Sequence, residues 1–418
     1  MDTGPTATAR HRRGLAAVYT AGGASAFGTQ MTLLALPWLV LQTTGSATMT
    51  GLLFAVQVLP MALLGFAGTA VIQRWGARRT MVLADLLRAP VIALVPVLST
   101  ADALAYPVLL AVVALLGVLG VPYFAAQRVL AAELAGSDAG ALTRANSVLE
   151  GCFNTASLAG PALGGVLIAL IGPERVLWAD AATYLVSGLL LWAGVPAGAG
   201  RAEPRSAPRA GLLAGVRALR ADDFLRPAMV STVSFGFLLR VLMLALPLLA
   251  FARFDGQAEV GGLLVAAFGS GALVGSLLSY LVAGRLRPGT LMAVSAVQLV
   301  LPLWVLAAPV PVPVLVAALV VSAASLPLSN APFFSILATR FTGSDRAAVM
   351  QSVITMSNIA GPLGFLVGGV AVDRLGVTTA LLVLAALASA AAVNLLRATR
   401  RLRPAPTPTT APREVSHA

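Results

Sequence analysis

Long, mostly apolar segments recur along this chain, and they constrain its fold more than any other feature. Crossing the hydrocarbon core of a bilayer takes about 20 apolar residues in a helix. Only 11% of the 418 residues are charged, against about 25% in soluble domains. The sequence therefore predicts an all-α membrane protein of about twelve transmembrane helices. The segments lie near 14–41, 50–72, 80–100, 104–126, 145–171, 176–195, 227–252, 259–283, 290–309, 312–338, 347–371 and 376–397.

Short motifs recur in the same order in the two halves of the chain. Weak internal repeats of this kind are typical of transporters built from two related bundles. We therefore predict two pseudo-symmetric six-helix bundles. The matching pairs are Leu-Ala-Leu-Pro at 34–37 and 244–247, Gly51 and Gly261, and Gly160-Pro161 and Gly361-Pro362.

The apolar segments and the stretches between them divide the chain into five regions. The region between the two bundles is rich in Pro, Gly and Arg, a composition typical of a polar linker. The C-terminal region is rich in Pro, which indicates disorder. The predicted regions are an N-terminal tail (1–13), a first six-helix bundle (14–196), a linker (197–222), a second six-helix bundle (223–398) and a disordered tail (399–418).

The arginines predict the orientation of the helices. All 28 basic residues are Arg, and cytoplasmic loops carry an excess of positive charge. With the N-terminus inside, only Arg175, Arg253 and Arg374 fall outside, and only Arg88 and Arg240 fall within spans. We therefore predict that both termini are cytoplasmic and that the basic excess reflects topology, not nucleic-acid binding. The use of Arg in place of Lys and the high Ala, Gly and Val content fit a GC-rich coding sequence. This favours a bacterial protein and therefore a bacterial cell membrane.

The chain lacks the side chains of most metal and cofactor sites. It has one cysteine, Cys152, and two histidines, His11 and His417, which lie in the tails. A metalloprotease helix needs two histidines in the pattern His-Glu-x-x-His, which is absent here. The sequence therefore predicts no metal, no cofactor and no enzymatic activity, although a serine-based intramembrane enzyme stays open as an alternative.

A short basic loop joins the second and third predicted spans. Arginines at a membrane face can bond the C-terminal carbonyls of a neighbouring helix, where the helix dipole favours cations. The loop is therefore a candidate conformational latch, with plain anchoring at the membrane face as the alternative. The candidate latch residues are Gln73, Arg74, Gly76, Arg78 and Arg79.

This loop resembles the signature loop of the major facilitator superfamily, Gly-x-x-x-Asp-Arg-x-Gly-Arg-Arg. Arg74, Gly76, Arg78 and Arg79 fit this pattern. Gln73 occupies the Asp position itself. Runs at 35–40, 85–89, 180–185 and 369–376 resemble the superfamily's multidrug, macrolide and siderophore exporters.

The fifth span carries a Gly-Pro-rich run at 160–165, which resembles the antiporter motif of the superfamily's drug–proton exporters. Proline removes a backbone hydrogen bond, and small residues let helices approach closely. Such a helix suits sealing or rocking against a partner helix, with plain packing as the alternative. The predicted gating residues are Gly160, Pro161, Gly164, Gly165 and the repeat partners Gly361 and Pro362.

Polar side chains within the spans are candidates for a substrate cavity. An arginine at the bilayer centre costs roughly 2.5–3.5 kcal/mol on insertion scales, so its presence needs a reason. Arg240 lies near the middle of the seventh span, and Gln30 is its repeat partner. Structural hydrogen bonds are the alternative for each residue. The cavity candidates are Gln30, Gln57, Asn154, Arg240 and Asn330.

Three acidic residues receive separate predictions. Glu150 lies one turn before Asn154 on the fifth span, and a carboxyl in a low-dielectric site can carry a proton. It is the candidate for proton coupling, with a helix-end role as the alternative. Asp85 and Arg88 are three residues apart and can pair, so we predict a gating or structural role. For Asp180 we predict a structural role near the outer end of the sixth span.

The resemblance implies an exporter of amphipathic small molecules, such as drugs, antibiotics or secondary metabolites. It implies alternating access around a central site and coupling to protons. The implied partners are the lipid bilayer, the substrate and protons, and a monomer is sufficient for the mechanism. The alternatives are an uncoupled facilitator or importer of a small metabolite, and a membrane sensor that does not transport.

Overall fold

The computed structural model describes residues 5–64, 67–136, 138–197, 199–200, 212–282 and 285–401. Within these ranges the chain forms fourteen α-helices. They are α1 (Pro5–Thr44), α2 (Ala47–Leu64), α3 (Ala67–Trp75), α4 (Ala77–Thr100), α5 (Tyr106–Ala135), α6 (Ala139–Ile171), α7 (Pro173–Gly194), α8 (Leu212–Ala221), α9 (Leu225–Arg253), α10 (Ala258–Val282), α11 (Pro288–Ala307), α12 (Val312–Arg340), α13 (Gly343–Leu375) and α14 (Val377–Thr399).

Twelve of these helices are long and apolar enough to cross a membrane, as the sequence predicts. The other two are the short helices α3 and α8. Helix α1 begins at Pro5 and so includes much of the predicted N-terminal tail, because its Ala and Arg residues are strong helix formers. Helix α8 lies within the predicted linker. Of the predicted tails and linker, residues 1–4, 198, 201–211 and 402–418 lie outside the described residues.

The two halves of the molecule pair their helices in the same way. In the first half α1 packs against α6 and α7, and α4 packs against α7. In the second half α9 packs against α13 and α14, and α11 packs against α14. The corresponding pairs α2–α5 and α10–α12 complete the match. The pseudo-symmetry predicted from the repeated motifs is therefore present in the helix packing.

The halves meet mainly through two helix pairs, α6 with α10 and α2 with α13. Within each half, consecutive spans alternate in direction because the connections between them are short. The contact of Asp373, at the end of α13, with Ala47, at the start of α2, places these two helix ends at the same face. We call the face at which α1 begins the terminal face and the face at which α1 ends the distal face. Helices α6 and α13 end at the distal face, and α2 and α10 begin there. Both contacts between the halves therefore reach this face.

Glycines bring the halves into backbone contact near the distal face. A Cβ atom at Gly262 would lie 2.3 Å from the carbonyl oxygen of Pro161, so α10 touches the backbone of α6. A Cβ atom at Gly51 would lie 2.4 Å from the carbonyl oxygen of Phe365, so α2 touches α13 in the same way. No larger side chain fits at either position. The molecule is therefore closed at the distal face.

Candidate functional site

A central cavity of about 470 Å³ lies between the two halves. It extends to Arg128 and Glu150, which are exposed near the terminal face, so it is reached from that side. Most of the exposed area of its wall is apolar, and ten polar side chains interrupt it, a mixture that suits a small-molecule site. Its polar lining residues are Thr29, Thr32, Gln57, Arg88, Gln127, Arg128, Glu150, Tyr184, Arg240 and Asn358.

The structure brings some of the predicted cavity residues together and leaves others apart. Gln57 of α2 and Arg240 of α9 both line the cavity, one from each half. The side-chain amide of Gln30 instead donates to the Ser157 hydroxyl at 2.7 Å, joining α1 to α6. Asn154 and Asn330 are exposed and lie outside the cavity lining. The rotation of each helix about its own axis determines which polar side chains face the cavity. The sequence does not show this rotation, because these helices are largely apolar on every side.

Arg88 is the most deeply placed charge in the cavity wall. It lies 3.4 Å from the Asp85 carboxylate, one turn earlier in α4, and only 5% of the residue is exposed. Its guanidinium lies over the rings of Tyr123 and Tyr184, at 5.3 and 5.0 Å from their centroids. A Cβ atom at Gly120 would lie 2.5 Å from Arg88 Nη2, so this glycine makes room for the guanidinium. The Asp85–Arg88 pair is therefore held by packing contacts within the first half.

Hydrogen bonds to Asp85 complete this pair. The Ser187 hydroxyl lies 2.5 Å from one carboxylate oxygen, and the Ser25 hydroxyl lies 3.4 Å from the other. Arg88 Nε, in contrast, has no hydrogen-bond partner within the part of the chain that the structure describes. Arg88 thus faces the cavity with donor capacity that Asp85 does not use.

Asp180 is a second, fully buried carboxylate beside this pair. One of its oxygens accepts a hydrogen bond from the Thr32 hydroxyl at 2.5 Å, and the other lies 3.2 Å from the Thr183 hydroxyl. Thr32 also lines the cavity. Neither Asp180 nor Thr32 was among the predicted site residues, and the signal for Asp180 was a charged residue inside an apolar segment.

Glu150 lies at the mouth of the cavity. Its carboxylate lies 2.5 Å from the guanidinium of Arg128 on α5, and the two side chains are 49% and 62% exposed. Exposed ion pairs of this kind contribute about 0–1 kcal/mol. The environment of Glu150 is therefore that of a solvent-accessible ion pair, and its predicted role in proton coupling stays a prediction.

The basic loop between α3 and α4 makes a carbonyl contact of the predicted type. Arg78 donates to the carbonyl oxygen of Trp192 at 2.5 Å, near the C-terminal end of α7. Gly76 has a φ of +80°, a conformation that favours glycine, and this turn places Arg78 in the first turn of α4. Gln73, Arg74 and Arg79 are exposed. Since α4 and α7 belong to the same half, this contact braces one half and does not join the two.

A carboxylate of the second half joins the two halves at the distal face. Asp373, near the end of α13, accepts hydrogen bonds from the backbone N–H groups of Ala47 and Thr48, each at 2.8 Å. It also accepts from the Ser46 hydroxyl at 2.9 Å. Asp373 therefore caps the N-terminus of α2, where an acidic group is favourable. Separation of the halves at this face would break all three bonds.

The predicted gating glycines lie against different helices. A Cβ atom at Gly160 would lie 2.6 Å from the Cβ of Gln30, and one at Gly164 would lie 3.2 Å from the Cα of Met31, so both positions let α6 lie against α1. Gly165 faces α10 in the other half. In the second half, Gly361 and Pro362 are both buried, and Gly361 lies beside Arg240 in the cavity wall.

Comparison with known proteins places this architecture in a family. A family model described as transmembrane secretion effector matches residues 5–415. The multidrug efflux pump Tap of Mycolicibacterium fortuitum is 30% identical over 380 residues, which cover 88% of this chain and 91% of that pump. The pump of the same name from Mycobacterium tuberculosis strain H37Rv is 29% identical over 370 residues, which cover 86% and 87% of the two chains.

Solved structures share the fold at low sequence identity. The nucleoside transporter NupG has a TM-score of 0.75 and 14% identity, over 93% of this chain and 100% of that chain. A bacterial homologue of the human lysosomal transporter Spinster has a TM-score of 0.70 and 13% identity, over 96% and 98% of the two chains. This chain therefore belongs to the transmembrane secretion effector family of the major facilitator superfamily, whose members are multi-pass membrane transporters and not enzymes.

Proposed function

We propose that this efflux transporter exports amphipathic small molecules across a bacterial cell membrane in exchange for protons. The observation that carries the proposal is the central cavity, which both halves line and which is closed at the distal face. The relatives are named multidrug efflux pumps, which supports a drug-like substrate. A wall that combines a largely apolar area with polar side chains suits amphipathic molecules.

The arginine distribution supports a terminal face that is cytoplasmic, with both chain ends inside. On that reading the structure is the inward-open state, in which an exporter takes up its substrate. Rocking of the halves would open the distal face and break the Asp373 cap on α2. One protein chain holds the complete cavity, so we propose that a monomer is sufficient.

Gradient-driven transport tests the coupling. We expect purified protein in proteoliposomes to accumulate ethidium or chloramphenicol several-fold more when the lumen is acidic than when the two sides have equal pH. The acidic lumen supplies protons that leave as the substrate enters. Substrate flux that ignores the gradient would favour the uncoupled facilitator, and binding of both compounds without flux would favour the sensor. Empty liposomes under the same gradient provide the control for passive accumulation.

Arg240 tests whether the cavity is the substrate site. We expect Arg240→Ala to change the KM for at least one of these two compounds by about tenfold, the size expected for one hydrogen bond to a charged group. Arg226→Ala is the matched control, because Arg226 lies on the same helix, is exposed and is outside the cavity lining. Initial rates of uptake into proteoliposomes give the KM for each of the two compounds. Equal kinetics in the two variants would place the substrate elsewhere.

A further inference from the structure

The buried cluster in the first half holds more acidic than basic side chains. Asp85 and Asp180 are both fully buried, and Arg88 is the basic residue that lies among them. Arg88 contacts Asp85 directly, whereas the described hydrogen-bond partners of Asp180 are hydroxyl and not cationic groups. With both carboxylates ionised, the cluster would carry one uncompensated negative charge.

An uncompensated charge inside a membrane protein is costly. Burial of an ionised carboxylate is unfavourable unless the charge is paired, and two carboxylates that share one site do not both ionise readily. Arg88 already compensates the charge of Asp85. Protonation of Asp180 would therefore remove the excess negative charge of the cluster. A proton at Asp180 makes the cluster neutral without breaking the Asp85–Arg88 pair.

The surroundings of Asp180 present few other titratable groups. Helix α4 presents Asp85 and Arg88, α5 presents Tyr123, and α7 itself presents Tyr184. Among the described contacts of this cluster, helix α1 contributes the hydroxyls of Ser25, Thr29 and Thr32 and the close approach of Gly28. A Cβ atom at Gly28 would lie 2.3 Å from Asp180 Oδ1, so the glycine lets α1 lie directly against the carboxyl. Nothing within the described part of this cluster offers Asp180 a second cation.

A hydroxyl connects Asp180 with the cavity. Thr32 donates to the carboxylate at 2.5 Å and also lines the cavity wall. The neighbouring hydroxyls of Thr29 and Tyr184, 2.9 Å apart, line the same wall. Asp180 lies in the half of α7 nearer the distal face, where the chain enters the membrane from that side. A proton therefore has a short route between the buried carboxyl and water in the cavity.

We propose that Asp180 is the proton-binding site of the transport cycle and that it exchanges its proton with the central cavity through Thr32. This inference rests on the proposed proton-coupled export. On release, the carboxylic O–H bond breaks and Asp180 passes its proton to the Thr32 hydroxyl. That hydroxyl gives its own proton to water in the cavity. The carboxylate left behind shares Arg88 with Asp85, which weakens the hold of Asp85 on the guanidinium and links the proton to the cavity wall.

Infrared spectroscopy of the full chain in lipid vesicles tests the proton site without any substrate. Exposed carboxyls are ionised above about pH 6, so a protonated-carboxyl C=O band in mildly acidic buffer reports a buried group. We expect the wild type to show this band and to lose it in alkaline buffer. Asp180→Asn should lack the band, and Glu150→Gln should keep it. The opposite result in these two variants would overturn the proposal.

A second variant identifies the band without removing the carboxyl. Thr32→Val keeps the side-chain shape and deletes the hydroxyl that bonds Asp180, so the band should shift in frequency. An unshifted band in correctly folded Thr32→Val would assign it to another group and refute the proposed site. This arm keeps the test decisive if Asp180→Asn does not fold.

Transport separates this inference from the proposed function. In proteoliposomes loaded with ethidium, Asp180→Asn should lose the stimulation by the pH gradient and retain exchange of ethidium at equal pH, which moves no net proton. The control Asp223→Asn, at an exposed carboxylate outside the cavity lining, should retain the wild-type stimulation. A wild type that ignores the gradient refutes proton coupling itself. A wild type that responds, together with an Asp180→Asn variant that responds equally, refutes only the role of Asp180.

Discussion

Replacement of Gly165 with valine should shift the transporter away from the distally closed conformation and reduce transport at least about tenfold. A Cβ atom at this position would lie 2.6 Å from the carbonyl oxygen of Ala258 and 3.0 Å from the Cα of Gly262. Those atoms belong to the backbone of α10 and have no rotamer to change. The two halves must therefore separate at this point to admit the side chain.

The expected magnitude follows from overpacking. Extra methylene groups in a tightly packed contact cost about 1–3 kcal/mol, and each 1.4 kcal/mol changes an equilibrium constant about tenfold. Only the closed state makes the contact, so the penalty acts on the balance between states. Export needs both states in turn, so a transporter held open at one face completes few cycles.

Spin labels measure the shift directly. In a Cys152→Ser background, cysteines at Ala103 and Gln257 place one label on each half at the distal face. We expect the distance distribution between the labels to lengthen in Gly165→Val. Gly151→Val is the matched control on the same helix, because nothing lies within 4 Å of a Cβ atom there. Unchanged distances and unchanged ethidium transport in Gly165→Val would refute the role of this contact in closure.

Replacement of Arg88 with methionine should destabilise the protein by about 3–5 kcal/mol, the usual cost of removing one partner of a buried ion pair. Asp85 would keep its hydroxyl contacts with Ser187 and Ser25 but would lose its cation. The stacking of the guanidinium on Tyr123 and Tyr184 would also be lost. The expected effect is therefore far larger than that of an exposed arginine.

A double variant separates the charge from the packing. Asp85→Leu combined with Arg88→Met removes both charges, and replacement of a whole buried pair by apolar residues is often neutral or stabilising. We expect thermal unfolding in detergent, followed by tryptophan fluorescence, to show a large loss in Arg88→Met and substantial recovery in the double variant. Arg226→Met serves as the exposed control. A single variant as stable as this control would show that the pair contributes little to folding.

The sequence predicted the fold almost completely, because membrane spans are read from length and hydrophobicity alone. The start of the fifth span shows the limit of that reading. It was predicted near 145, whereas α6 begins at Ala139, where the Asp138 carboxylate accepts a hydrogen bond from the backbone N–H of Ala141. This first part of the helix is polar, so hydrophobicity carries no signal for it.

The candidate site was predicted only in part, for a physical reason. A polar residue in an apolar span shows its depth in the membrane but not the direction in which it points. Gln57 and Arg240 face the cavity, whereas Asn154 and Asn330 do not. Because lipid and protein interior are both apolar, the helices have little amphipathic pattern to fix their rotation.

What the sequence determined by itself is the twelve spans, the repeat that relates the two halves and the charged residues placed inside the membrane. What only the tertiary structure decided is the partner of each charge. Asp85 pairs with Arg88 one turn away, but Asp180 meets Thr32 across 148 positions of the chain, and Asp373 caps a helix of the other half. Spans follow from local hydrophobicity, whereas these contacts depend on which helices pack together and how each is rotated.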